Sequence, residues 1–410
     1  MYRFIKNKIW MKKNEQTLDI VVCPKKKEEE RADRRKPKGR SACAYNIVET
    51  RTILKRQEEP MEQQEGKHKR RVRYAGTHPR TYKEKYKEHD PEKYADTVAK
   101  VISKGSTPAG MHLSICVDEI LEFLNIQPGQ RGADCTLGYG GHTKAMLEQL
   151  KGEGHITALD VDPIESEKTK KRLREQGFGE DILSIRLMNF ADIDKAAEEM
   201  GKFDFLLADL GVSSMQIDDP ERGFSYKTEG PLDLRMNPEK GISAAERLKN
   251  VEKEELIGML IENADEPYAA EIAKEIFSVK RKGGKLETTT DLFHCIEKAL
   301  HFLPQADRKE AVKKSAQRTF QALRIDVNSE YEALYALMEK LPHVMNPGGR
   351  IAVLTFHSGE DRLVKGAFKQ FHKEGLYSEI NKEVIRPGAE ECSRNGRARS
   401  TKMRWAVVSE

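Results

Sequence analysis

The sequence predicts an α/β protein, with a Rossmann-like, doubly wound parallel sheet that is interrupted by an inserted all-helical domain. Short apolar segments alternate with helical segments from His112 onward, which is the pattern of a parallel sheet covered by helices. A glycine cluster, Gly138–Gly141, follows the first apolar segment, and the regular spacing stops after Ala208. The strand candidates are Arg131–Cys135, His155–Leu159, Ile182–Leu187, Phe203–Ala208 and Arg350–Phe356.

The inserted domain is predicted from the interval between the fourth and fifth strand candidates. About 140 residues separate Ala208 from Arg350, which is too long for a loop in a compact domain. Helical patterns fill the interval at Ala244–Asn263, Ala269–Lys282, Thr290–His301 and Glu310–Arg324, and a sheet-covering helix follows at Glu330–Leu341. We therefore expect the sheet domain to comprise residues 112–216 and 323–410, and a helical, substrate-binding domain to comprise residues 217–322.

The positive charge of the chain is concentrated in its first quarter. Residues 1–100 contain 28 lysines and arginines against 16 acidic residues, a net charge of +12, whereas the rest of the chain carries −7. Residues 1–75 show little hydrophobic periodicity and are predicted to be a mostly disordered basic extension; residues 76–111 are predicted to be a helical lead-in. The basic run is either a solvated segment or a sequence-independent contact for phosphates.

Cysteine usage and hydropathy exclude several classes of protein. The six cysteines are scattered and form no C-x-x-C pair, so neither a zinc site nor a disulfide framework is indicated, and no metal is expected. No apolar stretch approaches the roughly 18 residues of a membrane span, and no signal-peptide pattern begins the chain. The expectation is a cytoplasmic protein with no membrane partner.

Two strand ends carry residues suited to a nucleotide-like cofactor. Glycines after the first strand let the backbone approach a ligand closely, although a tight structural turn would also explain them. Asp160 ends the second strand about 20 residues later, where an acid can accept hydrogen bonds from ribose hydroxyls. A nicotinamide dinucleotide and S-adenosylmethionine both fit this arrangement. The G-x-G-x-x-G pattern is absent, which disfavours the dinucleotide.

The third and fourth strand ends supply two further candidates. Phe190 could flank an adenine ring, and core packing explains it equally well. Asp209 directly follows an apolar strand, where a buried carboxylate is costly unless it has a purpose. Asp209 is therefore the strongest single candidate for chemistry, and capping of a helix is its structural alternative.

Long motifs then resemble one family. The segment Asp204–Pro238 contains D-L-G-V-S-S-M-Q, and it is followed by S-A-Q-R-T-F-Q-A-L-R-I at Ser315–Ile325 and by R-N-G-R-A-R-S-T-K-M-R at Arg394–Arg404. These strings, over about residues 112–410, closely resemble the RsmH (MraW) family of ribosomal RNA small-subunit methyltransferases. The resemblance implies a class I methyltransferase domain, S-adenosyl-L-methionine as methyl donor, and N4-methylation of a cytosine in 16S rRNA. It places cofactor contacts on Gly140, Gly141, His142, Asp160, Phe190, Asp209 and Gln216.

The sequence departs from the family pattern at three places, and rival functions stay open. Cys135 replaces a glycine, Gly359 replaces a leucine in F-H-S-L-E-D-R, and Ala270–Lys274 replaces an arginine-rich helix. One alternative is a paralogous methyltransferase that acts on another RNA or on a DNA amine. The second is a non-catalytic ribosome-assembly protein that binds RNA. The resemblance implies 16S rRNA or the small ribosomal subunit as the partner, and the oligomeric state is open, with a dimer among the alternatives.

On the substrate side, an acceptor for the amine hydrogen would favour methyl transfer, and Asp209 is the candidate, with Ser213 or Ser214 nearby. The aromatic residue that stacks on the base would be Phe224 or Tyr226, unless both are core residues, and His357 follows the last strand. Arginines that suit phosphate contact and base stacking are Arg235, Arg318, Arg324, Arg397 and Arg399, of which Arg318 and Arg324 could instead form structural ion pairs.

Overall fold

A seven-stranded sheet forms the centre of the protein. The computed structural model describes residues 114–410, and the predictions for residues 1–75 and 76–111 lie outside that range. The strands are β1 Arg131–Asp134, β2 His155–Asp160, β3 Leu183–Leu187, β4 Phe203–Asp209, β5 Met345–Thr355, β6 Tyr377–Ile380 and β7 Lys402–Val408. Their order is β3-β2-β1-β4-β5-β7-β6, and β7 is antiparallel to both of its neighbours. The predicted Rossmann-like α/β class is confirmed.

The five strand predictions correspond to β1 through β5, which pair in parallel. The last two strands were not predicted. In particular, β7 begins inside the basic string Arg394–Arg404 and continues to Val408, and its residues alternate in burial along most of the strand. In the centre of the sheet, by contrast, β4 reads as an almost continuous apolar run because both of its faces are covered by helices.

Helices cover both faces of this sheet. They are α1 Val117–Leu124, α2 Gly141–Leu150, α3 Pro163–Glu175 and α4 Ile193–Met200, followed along the chain by the short helix α5 Ser214–Asp218. Local sequence explains two of their starts. Asp162 accepts hydrogen bonds from the backbone N–H groups of Ile164 and Glu165, and Pro163 occupies the first turn of α3. Ser213 and Gln216 form a reciprocal capping box that begins α5.

The interval between β4 and β5 is helical and has a hydrophobic core of its own. Its helices are α6 Ala244–Asn250, α7 Lys253–Ala264, α8 Ala269–Arg281, α9 Thr289–Ala299 and α10 Gln305–Asn328. The sequence predicted one helix where α6 and α7 are separate, because the chain becomes extended at Val251 and Glu252. The core of this region extends from Phe224 to Leu323. The predicted domain boundary at residues 322 and 323 falls inside α10, so the exact limits of the insertion stay a prediction.

The chain returns to the sheet through α11 Glu330–Val344, and α12 Ser358–Lys373 and α13 Ala389–Arg394 follow β5 and β6. The strand order reverses between β1 and β4, since β2 and β3 extend to one side of this pair and β5 to the other. In open parallel sheets, ligands bind in the crevice at the carboxyl ends of the strands beside this reversal. Within the described residues, no helix is long and apolar enough to cross a membrane.

Candidate active site

A large cavity opens at the carboxyl ends of β1, β2, β4 and β5. Its volume is about 1110 Å³, and the strand ends form one wall while α10 and the segment from Phe224 to Gly241 form the other. The predicted residues that line it are Gly140, Gly141, His142, Asp160, Phe190, Asp209, Gln216, Phe224, Tyr226, Arg324, His357 and Arg397. Residues from all of the sequence motifs thus converge on one pocket.

The glycine loop is a tight fit between β1 and α2. Gly140 has a φ of +78°, and a Cβ atom there would lie 2.7 Å from Thr169 Cγ2. A Cβ on Gly141 would lie 2.0 Å from Ser114 Oγ. A larger residue would therefore displace the loop or its neighbours, and the glycines that line the cavity place no side chain between the backbone and a ligand.

Asp160 fastens this loop to the end of β2. One carboxylate oxygen accepts a hydrogen bond from Gly138 N–H at 2.7 Å, and the other accepts one from Asp162 N–H at 2.9 Å. Burial raises the pKa of Asp160 to about 6, although these two backbone hydrogen bonds oppose the rise. Carboxylate oxygens have further lone pairs, so the same side chain can also accept hydrogen bonds from ribose hydroxyls.

Asp209 ends β4 beside His142. His142 Nε2 lies 2.9 Å from the carbonyl oxygen of Ile115, which can only accept, so Nε2 carries a proton. His142 Nδ1 lies 3.4 Å from Asp209 Oδ2, and this contact is favourable when one further proton is shared by the pair. Burial raises the pKa of Asp209 to about 6, and the nearby His142 opposes the rise. The other oxygen, Asp209 Oδ1, is buried without a hydrogen-bond partner among the described residues.

Gln216 belongs to a buried network that the sequence did not reveal. Its side-chain amide donates to Asp162 Oδ2 at 2.7 Å, and the Arg222 guanidinium donates to the same oxygen at 2.8 Å. Arg222 also donates to the backbone carbonyls of Arg235 and Met236. Asp162 is completely buried. This network ties the segment that forms the outer wall of the cavity to the end of β2.

Phe190 begins a short 3-10 turn, Phe190–Asp192, after β3, and its ring lies between the cavity and the core beneath the sheet. It is half-buried, so the structure allows both of its predicted roles. Phe224 and Tyr226 line the cavity as well, but both pack into the helical core. Tyr226 is stacked on Phe293, with ring centroids 5.3 Å apart and nearly parallel planes.

The predicted arginines fall into two groups. Three form ion pairs: Arg235 with Asp233, Arg324 with Glu330, and Arg397 with Asp218. Arg324 and Arg397 also line the cavity. Arg318 and Arg399 lie outside the cavity lining and form no ion pair with another described residue. The structure therefore places Arg324 and Arg397 at the pocket, whereas Arg235, Arg318 and Arg399 lie farther away.

His357 stands at the start of α12 and lines the same cavity as Asp209. Its Nδ1 accepts the backbone N–H of Glu360 at 3.4 Å, and its Nε2 lies 3.1 Å from Glu360 Oε1. Glu360, which the sequence did not single out, also accepts the N–H of Phe356 at 2.8 Å. Burial raises the pKa of Glu360, but the contacts with His357 and the charge of Arg324 outweigh it and hold the pKa below its usual value. Glu360 is thus an ionised group that holds Phe356 and His357 in place. These three residues line the cavity at the start of α12, and we term them the His357 wall.

These features define the class of the protein. The sheet order, the open glycine loop and the acid at the end of β2 are those of a class I methyltransferase that uses S-adenosylmethionine. The residues fit that group, because the glycine loop lines the cavity and the carboxylates of Asp160 and Asp209 bring hydrogen-bond acceptors to it, with Asp209 Oδ1 buried and unpartnered among residues 114–410. Asp160 would hold the ribose of the cofactor, and the glycine loop would hold the rest of it.

The chain belongs to the MraW methylase family, whose model matches residues 109–409. A relative from Lachnoclostridium phytofermentans, named ribosomal RNA small subunit methyltransferase H 1, is 65% identical over 362 residues, covering 88% of this chain and 98% of the relative. A relative of the same name from Agathobacter rectalis is 66% identical over 347 residues, covering 85% and 99%. The ribosomal RNA small subunit methyltransferase H of Clostridium botulinum strain Kyoto is 37% identical over 310 residues, covering 72% and 97%.

The lengths of these alignments show that the similarity to relatives begins earlier in the chain than the sequence motifs indicated. An alignment of 362 residues is longer than the family match at residues 109–409, so it extends into the basic N-terminal segment. The sequence had placed residues 1–111 outside the resemblance altogether. Part of this segment is therefore shared with the two relatives of highest identity above.

Asp160→Ala is expected to raise the Kd for S-adenosylmethionine by roughly 10- to 150-fold, because hydrogen bonds to a charged group contribute about 1.5–3 kcal/mol each. The variant also releases the Gly138 N–H and so loosens the glycine loop. Isothermal titration of the folded protein with the cofactor measures the change. Asp160→Asn keeps one acceptor oxygen, so its Kd for S-adenosylmethionine should lie between those of the wild type and Asp160→Ala. An unchanged affinity in folded Asp160→Ala would remove Asp160 from the cofactor site.

Proposed function

We propose that this protein transfers a methyl group from S-adenosylmethionine to the exocyclic N4 amine of a cytosine in 16S rRNA, within the small ribosomal subunit. The observation that carries the proposal is the position of Asp209 at the end of β4, where the residue lines the cavity with 19% of its side chain exposed, while its Oδ1 is buried without a partner among residues 114–410. Family membership and the names of the relatives support the ribosomal substrate. The proposal includes a cytoplasmic location. Whether the protein is a monomer or a dimer is to be measured in solution.

The acceptor amine sets the chemical problem. The lone pair of a cytosine N4 is delocalised into the ring, so the amine is a weak nucleophile that must be held in line with the transferable methyl group. When bound, the cofactor supplies an electrophilic methyl group. The Asp209 carboxylate would accept one amine N–H, orient the lone pair, stabilise the positive charge that develops on nitrogen, and take up the proton that the nitrogen loses once it is methylated. His142 would hold Oδ2 of this carboxylate in place.

The acceptor base would enter from the β4 and β5 side. Most of the predicted cofactor contacts follow β1, β2 and β3, and Asp209, which is also one of them, ends β4. The His357 wall beyond β5 carries none of them and would be left for the substrate. A base within RNA would have to leave its stack to reach a pocket of this depth. Arg324 and Arg397, which line the cavity, would then contact the RNA strand that carries the base, alongside their structural ion pairs.

One surface of α10 leads toward the pocket. Lys309, Lys313, Gln317 and Gln321 recur every four residues and therefore lie along one side of the helix. The two glutamines line the cavity, and the two lysines are exposed and form no ion pair with another described residue. This row would guide an RNA backbone toward Asp209 and the His357 wall. The lysines would provide positive charge, and the glutamines would provide hydrogen bonds.

Reversal of both charges, Lys309→Glu with Lys313→Glu, is expected to weaken RNA binding by about tenfold and to lower the salt-dependence slope by about two. Filter binding over a series of salt concentrations measures both quantities. The matched control is Lys369→Glu with Lys373→Glu on α12, an exposed pair of the same spacing away from the cavity. Equal losses in the two double variants would show a non-specific charge effect and contradict the proposed path.

The function itself is tested with small subunits from a strain that lacks this enzyme. The purified protein and isotopically labelled S-adenosylmethionine are added, and the RNA is digested and mapped by mass spectrometry. We expect N4-methylcytidine at one cytosine of 16S rRNA. A methyl group in another RNA or on DNA would favour the paralogous function, and calorimetric cofactor binding without transfer to any nucleic acid would favour a non-catalytic assembly role.

A further inference from the structure

We infer that Tyr331 forms the aromatic face on which the target base stacks, and that Gly359 is a glycine because only that residue leaves room for the tyrosine. This inference rests on the proposed function and assigns one contact of its substrate. Neither residue was a predicted site residue, although Gly359 is a point where the sequence departs from the family pattern.

The first observation is steric. A Cβ atom on Gly359 would lie 1.9 Å from Tyr331 Oη and 2.9 Å from Tyr331 Cζ. Such distances are far below van der Waals contact, so any larger residue at position 359 forces the ring to move. Gly366 on the same helix, α12, offers a contrast, because a Cβ atom there would meet nothing within 4 Å.

The second observation is the position of the ring. Tyr331 lies on the first turn of α11, lines the cavity and is half-buried. Its ring centroid is 6.0 Å from that of His357, with the planes tilted by 57°. The Tyr331 hydroxyl donates a hydrogen bond to the carbonyl oxygen of Asn263 on α7, at 3.2 Å. The ring is thus held between the helical region and the His357 wall, on the side left free by the cofactor contacts.

The third observation concerns the competing aromatic residues. Tyr226 has Phe293 stacked against it and Phe320 tilted beside it at 5.8 Å, so other rings already pack around it. Phe224 is only 9% exposed and belongs to the helical core. Tyr139, on the cofactor loop, is covered by the Arg172 guanidinium at 3.5 Å from its ring centroid. Phe356 precedes His357 and also lines the cavity, but it packs against the core of the sheet. Tyr331 lines the cavity beside His357 and belongs to none of the hydrophobic cores of the described residues.

The test separates the ring from its hydroxyl group. Base stacking on an aromatic ring is sequence-tolerant and contributes substantially to RNA binding. We expect Tyr331→Leu to raise the KM for the small subunit about tenfold or more, with unchanged Kd for S-adenosylmethionine, and Tyr331→Phe to keep a KM near that of the wild type. Gly359→Ala should resemble Tyr331→Leu, and Gly359→Ala with Tyr331→Phe should recover part of the loss, since the colliding hydroxyl is gone.

Gly366→Ala is the matched control for a glycine-to-alanine change in α12 and should leave KM unaltered. A spectroscopic measurement tests the contact directly, with an RNA fragment that carries the fluorescent analogue pyrrolocytosine at the methylated position and with S-adenosylhomocysteine present. Quenching of the fluorophore is expected with the wild type and Tyr331→Phe, and its loss with Tyr331→Leu. Thermal melting identifies any variant that fails to fold. If Tyr331→Leu is such a variant, the comparison of Gly359→Ala with the double variant Gly359→Ala and Tyr331→Phe still tests the inference.

Two outcomes would overturn the inference: wild-type KM and quenching in Tyr331→Leu, or an equal defect in Tyr331→Phe and Tyr331→Leu. The second would mean that the hydroxyl contact with Asn263, and not the ring, is what matters. These results are distinct from failure of the proposed function, in which the wild-type enzyme itself would not methylate the small subunit in the same assay.

Discussion

Asp209→Asn is expected to lower the methylation rate by about 100-fold or more at saturating cofactor, since loss of one preorganised electrostatic contact in a catalytic site has effects of about 10²–10³. Asparagine retains the shape and one acceptor oxygen, but it removes the negative charge that opposes the charge developing on the amine nitrogen. Single-turnover transfer of a labelled methyl group to the small subunit isolates the chemical step.

The same substitution should change the pH dependence and the stability in a linked way. Burial raises the pKa of Asp209 to about 6, so the wild-type rate should rise with pH through about 6, and the asparagine variant should lack this step. A raised carboxyl pKa means that the folded state binds the proton more tightly than the unfolded state. The ionised side chain therefore destabilises the fold increasingly from about pH 4 to above pH 6.

Asp209→Asn should consequently be more stable than the wild type at pH 8, by about 1–3 kcal/mol, and this difference should vanish near pH 4. Urea unfolding at the two pH values measures it. Glu175→Gln, at an exposed position at the end of α3, is the control and should change neither rate nor stability. A wild-type rate in folded Asp209→Asn would rule out the role of this carboxylate in catalysis.

The sequence revealed the parts of the site that lie at strand ends. Asp160 and Asp209 each follow an apolar strand, and parallel strands bring their carboxyl ends to one edge of the sheet, so their proximity could be inferred before any coordinates were known. The same logic located the glycine loop. β4 and the second half of β5 were predictable for a related reason, because burial on both faces makes them nearly continuous apolar runs.

The sequence could not reveal the contacts that form between distant segments. Arg222 lies 60 positions from Asp162, and nothing local to either residue shows that the two meet. Glu360 appeared only as part of a motif, and its role depends on how α12 begins. Strand β7 was missed because its charged residues suggested RNA contact, yet Arg404 is buried in an ion pair with Asp361.

Arg222→Leu should have the largest effect on stability, destabilising the protein by about 3–5 kcal/mol, because it leaves the fully buried Asp162 carboxylate without its cationic partner. The backbone carbonyls of Arg235 and Met236 lose their donor as well. The cavity wall formed by this segment should then detach from β2, so the Kd for S-adenosylmethionine should also rise. Chemical unfolding and calorimetric titration measure the two effects.

A matched exposed pair distinguishes the buried network from charge pairing in general. Arg174 and Glu180 form an ion pair at 2.8 Å, the same distance as Arg222 and Asp162, but both side chains are largely exposed. Arg174→Leu should therefore lower the free energy of unfolding by no more than about 1 kcal/mol.

Arg222→Leu combined with Asp162→Asn should recover part of the stability, since no unpaired charge is then buried, whereas cofactor affinity should stay low because the wall is still unfastened. Equal destabilisation by Arg222→Leu and Arg174→Leu would contradict this account and would mean that Asp162 gains solvent or another donor when Arg222 is lost. Full recovery of cofactor affinity in the double variant would show that the charge of Asp162, and not the attachment of the wall, controls the cofactor site.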